Sequence, residues 1–215
     1  MKNGWDLLLI LQIGTGLFWI MTYILIIKLG FRDKTYGMPM VAICANISWE
    51  FIFSFIYPSS YPQNIINIVW FVLDVIIMLQ YLIYGLRELK KYTQVKGFYS
   101  YFFITLCISF LIIIAITVEF NDFEGKYAAF SQNLMMSGLF IALLSRRGNL
   151  RGQSIYIAIF KMIGSLFAAI AFFMYFRSYL ITIVSIATLI YDWIYVVLVC
   201  KLHNKRTKKV INYSI

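Results

Sequence analysis

Hydrophobic residues come along this chain in seven long runs, at 5–29, 37–57, 65–85, 99–118, 127–144, 155–175 and 179–200, with short polar stretches between them. Each run approaches the roughly 20 residues that a helix needs to cross a bilayer. Inside a bilayer every backbone N–H and C=O must pair locally, so the runs are read as helices. The pattern predicts an all-α membrane protein. A bundle of seven transmembrane helices occupies 1–202, and a basic tail follows at 203–215. The first run is too long for a signal-peptide core and is preceded by one lysine, Lys2, so it is read as a retained helix. Pro39 falls in the first turn of the second run, where its missing N–H costs little, and Pro58 and Pro62 bracket the loop after it.

Composition agrees with a membrane protein. Hydrophobic residues make up 62% of the 215 residues and charged ones only 13%, against about 25% in a soluble domain. The net charge is +10. The basic residues cluster at the ends of the apolar runs, which points to insertion topology rather than to nucleic acid. Lys28, Arg32 and Lys34 lie in the first loop, Arg87, Lys90, Lys91 and Lys96 in the third, and Arg146, Arg147 and Arg151 in the fifth. Lys201, Lys205, Arg206, Lys208 and Lys209 follow the last run, while the opposite side holds only Lys2, Lys126 and Arg177. The positive-inside rule then puts the N-terminus outside and the C-terminus in the cytoplasm. Cys44, Cys107 and Cys200 lie within apolar runs at no metal-ligand spacing, and His203 is the only histidine. No metal site or cofactor is expected.

The acids change the picture most. Glu50, Asp74 and Asp192 fall near the middle of the second, third and seventh runs, each within about 5 Å of the midplane at 1.5 Å of rise per residue. An ionised carboxylate there is costly, so such residues face the protein interior and mark function. Asn46 precedes Glu50 by four residues and shares its helix face, and Trp49 flanks it. Trp70 and Tyr81 share the face of Asp74. Trp193 adjoins Asp192, with Thr188 and Tyr195 one turn away. Lys161 lies about six residues inside the sixth run and is expected to snorkel to the basic interface, with pairing to Asp192 as the alternative. Asp74 follows Trp70 as Asp192 follows Thr188, by four residues. Three helices, a spacer and three helices fit an internal repeat on that spacing.

Acids in a dry aromatic pocket suit one chemistry. Burial keeps a carboxyl group neutral, able to protonate an epoxide oxygen or an alkene. Aromatic faces stabilise the cation that forms, and excluding water keeps it from being quenched. A polyprenyl substrate would reach such a site directly from the bilayer.

The run Gly37-Met38-Pro39, then Asn46-x-x-Trp49-Glu50, then Trp70-x-x-x-Asp74 and Asp192 in the last helix resembles the small seven-helix terpene cyclases of fungal meroterpenoid and indole-diterpene pathways, the paxilline- and pyripyropene-type enzymes. The resemblance implies a non-ionising, proton-initiated cyclase that acts on a polyprenyl or epoxy-polyprenyl chain without a metal. It implies Glu50 and Asp192 as essential acids and Asp74 as a further one. Asn46 and Trp49 would orient the acid or line the pocket, with Trp70, Tyr81, Thr188, Trp193 and Tyr195 as further substrate-binding candidates. A prenyltransferase and an epoxidase would act upstream. The wealth of Ile, Lys and Asn suggests a bacterial relative in a bacterial cell membrane. Neither D-x-D-D nor D-D-x-x-D occurs.

Two other classes compete. Midplane acids and a repeat also fit a small transporter or proton-coupled carrier. A retinal protein would need its lysine in the last helix, whereas the buried lysine lies in the sixth.

Overall fold

A computed structural model describes residues 2–90 and 96–212. They form α1 (Lys2–Asp33), α2 (Met40–Phe51), α3 (Gln63–Leu89), α4 (Phe98–Glu119), α5 (Lys126–Arg147), α6 (Ile155–Tyr175) and α7 (Tyr179–Asn212). There is no strand among the described residues. Six of the helices are long and apolar enough to cross a membrane, and the chain is an integral membrane protein.

The exception is α2. A π-helical turn, Ile52–Ile56, carries it only as far as Ile56. Its residues from Ala42 to Glu50 are all buried. Burial on every side over this stretch puts α2 inside the bundle, where it packs against α3, α4 and α5. By contrast α4 buries only Phe98, Phe102, Ile113 and Thr117, one stripe at helical spacing, and turns the rest outward.

The remaining packing follows a repeat. Among the first three helices, α3 packs on both α1 and α2. Among the last three, α7 packs on both α5 and α6. Across the halves α1 meets α6 and α2 meets α5, with α4 as the extra helix. This is the contact pattern that a three-one-three arrangement requires.

The helices overrun the apolar runs: α1 reaches Asp33, α3 reaches Leu89 and α7 reaches Asn212. Backbone hydrogen bonding does not stop where apolarity stops, and cations in a last turn favour the helix dipole. The stretch set apart as a tail thus begins as helix. Lys91 and the side chains of Lys2, Arg206, Lys208 and Lys209 lie outside the described residues. Pro39 stands one position before the first turn of α2, as its N-cap in extended backbone, where its missing N–H is equally harmless.

One end of the bundle is closed by a buried ion pair. Arg147 of α5 donates to both Glu88 oxygens of α3, at 2.6 and 3.0 Å. Thr35 donates to the same carboxylate at 2.5 Å. The guanidinium of Arg147 lies 4.4 Å over the ring of Tyr36, whose hydroxyl accepts from Arg146. Burial pushes the Tyr36 phenol up, with both arginines pulling against it. The loop between α1 and α2 is thereby tied to α3 and α5.

Candidate functional site

Glu50 ends the buried face of α2 just before the π-helical turn, and its polar neighbours come from α1, α2 and α3. Tyr23 of α1 donates its hydroxyl proton to Glu50 Oε1 at 3.3 Å, and Asn46 Nδ2 donates to that hydroxyl oxygen. Asp74 of α3 stands against Glu50, close enough for the two carboxyl groups to feel each other's charge. The Asn46 amide also lies against Asp74. Glu50 Oε2 and both Asp74 oxygens have no hydrogen-bond donor among the described residues. All four side chains are buried, Asp74 completely. Asn46 and Glu50 lie one helical turn apart on α2, and the link between them runs through the Tyr23 hydroxyl rather than directly. The approach of Asp74 to Glu50 comes from the packing of α2 on α3.

Glu50 opens onto a cavity of about 100 Å³, whereas Asp74, fully buried beside it, does not line that cavity. Trp19, Tyr23, Asn46, Trp49, Glu50 and Trp70 line it, together with Asn133 and Met136 of α5. The indoles are held from outside. Trp49 donates its N–H to the Gly125 carbonyl at 2.8 Å, and Trp70 donates to that of Gly16 at 3.4 Å. Gly125 has φ +69, a conformation that glycine adopts without cost. Trp19 sits edge-on to Tyr23 and fills the space that a side chain at Gly164 would need, 2.8 Å from a Cβ there. The π-helical turn below Glu50 is fixed from α3, because Asn67 donates to the Phe53 carbonyl at 3.2 Å and to the Ser59 hydroxyl at 3.1 Å. Gln63 donates to Asn67, and Gln12 of α1 to Gln63, which extends the amide chain across three segments.

Asp192 is elsewhere. It forms an ion pair with Lys161 of α6 at 2.6 Å, and both side chains are wholly inaccessible. Lys161 Nζ also donates to Ser137 Oγ at 2.6 Å and to Asn133 Oδ1 at 3.3 Å. The expected snorkelling of Lys161 is therefore corrected. Its three N–H groups are taken by three acceptors on α5 and α7, and nothing is left for the interface to satisfy. The pair mirrors the other half of the bundle: Glu50 with Asp74 joins α2 to α3, and Lys161 with Asp192 joins α6 to α7.

Of the expected substrate-binding residues, Asn46, Trp49 and Trp70 line the cavity and four others do not. Trp193 is 61% exposed on the outside of α7. Adjacent helical residues point about 100° apart, so an inward Asp192 turns Trp193 away. Thr188 is buried but bonds to its own helix at Val184, and the Tyr195 hydroxyl donates to Gln153. Tyr81 lies two turns beyond Asp74, packed among Tyr36, Phe98 and Phe102. Conversely Thr15, Trp19 and Tyr23 of α1 and Gln132 and Asn133 of α5 were not expected at the site. A signal in α1 was the four-residue spacing of Thr15, Trp19 and Tyr23, which puts all three on one helix face.

Residues 5–205 match the family model of Pyr4-like transmembrane terpene cyclases. Relatives include the Pyr4-family terpene cyclase mfmH of Annulohypoxylon moriforme, 34% identical over 75% of this chain and 68% of its own length. Terpene cyclase macJ of Penicillium terrestre is 29% identical over 74% of this chain and 64% of its own. Terpene cyclase pyr4 of Aspergillus fumigatus is 28% identical over 71% of this chain and 65% of its own. The chain thus spans about two thirds of the length of these relatives. All three are fungal and lend the expected bacterial source no support. No solved structure matches the chain.

Proposed function

The chain belongs to the Pyr4-like transmembrane terpene cyclases, and from that premise we propose that it cyclises a membrane-dissolved polyprenyl or epoxy-polyprenyl chain by protonation. The observation that carries this reading is a buried carboxyl, Glu50, in the wall of an aromatic cavity with a second buried carboxyl, Asp74, against it. Two carboxyl groups in contact and out of water cannot both be ionised, so the pair holds a proton between them. Tyr23 and Asn46 orient Glu50 toward the cavity.

In the step itself, Glu50 delivers that proton to the epoxide oxygen or the terminal alkene at the reacting end. The C–O bond, or the alkene π bond, gives up its electron pair, and a cation forms on the more substituted carbon. Successive double bonds supply the pairs that close rings. The cation ends when a neighbouring C–H loses its proton to the carboxylate left behind. The product is an isomer of the substrate and the acid pair is regenerated. Trp19, Trp49 and Trp70 provide the π faces that favour a cation. Substrate, product and enzyme share the bilayer, with a prenyltransferase and an epoxidase upstream. The Lys and Arg bias supports an outside N-terminus and a cytoplasmic C-terminus.

The test is expression in a host that makes farnesyl and geranylgeranyl compounds, with and without terminal epoxides, followed by mass spectrometry. The expected result is a new product isomeric with its substrate. Glu50→Gln should lower its formation by at least about a hundredfold, the scale of a lost general acid. Full turnover in Glu50→Gln on a confirmed substrate ends the reading.

A further inference from the structure

We propose that Asp192 is a positioning residue rather than a proton source: paired with Lys161, it fixes Asn133 in the wall of the cavity that Glu50 lines. The inference rests on the cyclase reading above for its chemistry and on geometry for its assignment. Asp192 does not line the cavity, whereas Asn133 does. Between them stands Lys161, whose ammonium donates to Asp192, Ser137 and Asn133. An ammonium has three N–H groups, so the lysine is fully committed and its charge is balanced by Asp192 alone. Asn133 in turn is held at both ends, since its Nδ2 donates to Ser165 at 3.0 Å. A side-chain amide held at both ends keeps one orientation toward the cavity.

The site therefore divides its acids by role. Glu50 and Asp74 face each other without a cation among the groups that touch them, an arrangement that keeps a proton. Asp192 faces a cation at 2.6 Å, an arrangement that keeps a charge. Removing one partner of a buried pair strands the other, and this costs far more than replacing both by neutral groups. Loss of Asp192 thus disables the site through Lys161 and Asn133 without any proton having come from Asp192.

The experiment has two arms on the full-length protein in lipid bilayers. Infrared spectroscopy reads the carbonyl band of protonated carboxyl groups and needs no substrate. That band should weaken in Glu50→Gln and stay unchanged in the neutral double variant Lys161→Gln/Asp192→Asn. Loss of the band in the double variant overturns the assignment. The second arm measures turnover of a farnesyl-substituted phenol and its terminal epoxide. Asp192→Asn alone should lose roughly tenfold or more. In the double variant the amide introduced by Lys161→Gln can still donate to Asn133, so turnover should recover to within about threefold of the starting protein. A folded double variant as inactive as Asp192→Asn alone also overturns the assignment. Should the starting protein turn over neither probe, the choice of substrate fails, and the infrared arm still decides the role of Asp192.

Discussion

Tyr23 is the residue where small changes should be most informative. Its hydroxyl accepts from Asn46 and donates to Glu50, so it carries the direction of the amide to the acid. Tyr23→Phe keeps the ring packed against Trp19 and removes only that link. The net worth of one such bond is about 0.5–1.5 kcal/mol. The expected outcome is a fall in kcat of about three- to tenfold with KM little changed, read by steady-state kinetics on a confirmed substrate. An unchanged kcat would mean that the packing around Glu50 orients it unaided. The acids themselves were legible in the sequence, because any carboxylate at mid-span stands out against apolar neighbours. Tyr23 was not legible. A tyrosine in a membrane helix is common, and nothing on α1 says which residue of another helix it faces.

At the scale of elements, α2 and its π-helical turn set the depth and direction of Glu50. A π-helical turn leaves a local break in the hydrogen-bond ladder, and such turns recur at functional sites. Here the Phe53 carbonyl receives Asn67 and the backbone N–H of Ser59. Asn67→Ala removes the side chain that joins α3 to this turn and leaves the Gln63 amide and the Ser59 hydroxyl without it. The expected cost is about 1–3 kcal/mol of stability, read as a lower thermal midpoint in detergent. A kcat loss should accompany it, because Glu50 sits only two residues before the turn. A stability loss with kcat intact would show that the turn does not position the acid. The existence of seven helices was legible from apolar run length, but the interior position of α2 was only half legible. Its run is as apolar as the rest, and burial on all sides shows only once neighbours surround it.

At the scale of the whole molecule, one polar pair joins α2 to α3 and another joins α6 to α7, the first acidic and the second ionic. The charge-rich end is closed by Arg147 and Glu88, whose side chains are 3% and 8% exposed. This clamp lies outside the cavity lining and belongs to stability. Arg147→Ala should lower stability by about 3 kcal/mol, the scale of a broken buried pair, while kcat per folded molecule stays the same. The measurement is thermal unfolding alongside turnover normalised to folded protein.

What the sequence determined by itself was the class of protein and the inventory of its chemistry. Apolar runs of bilayer length dictate helices, because no other structure pairs every backbone group in lipid. Mid-span acids dictate an interior polar site, because lipid will not solvate them. Only the tertiary structure decided how the acids are shared out. Glu50 met Asp74, Asp192 met Lys161, and Trp193 turned outward although it is the neighbour of an acid. Position along a helix sets depth and face, but partners are set by the rotation and order of helices around one another. That order comes from packing summed over every helix, which no local pattern encodes.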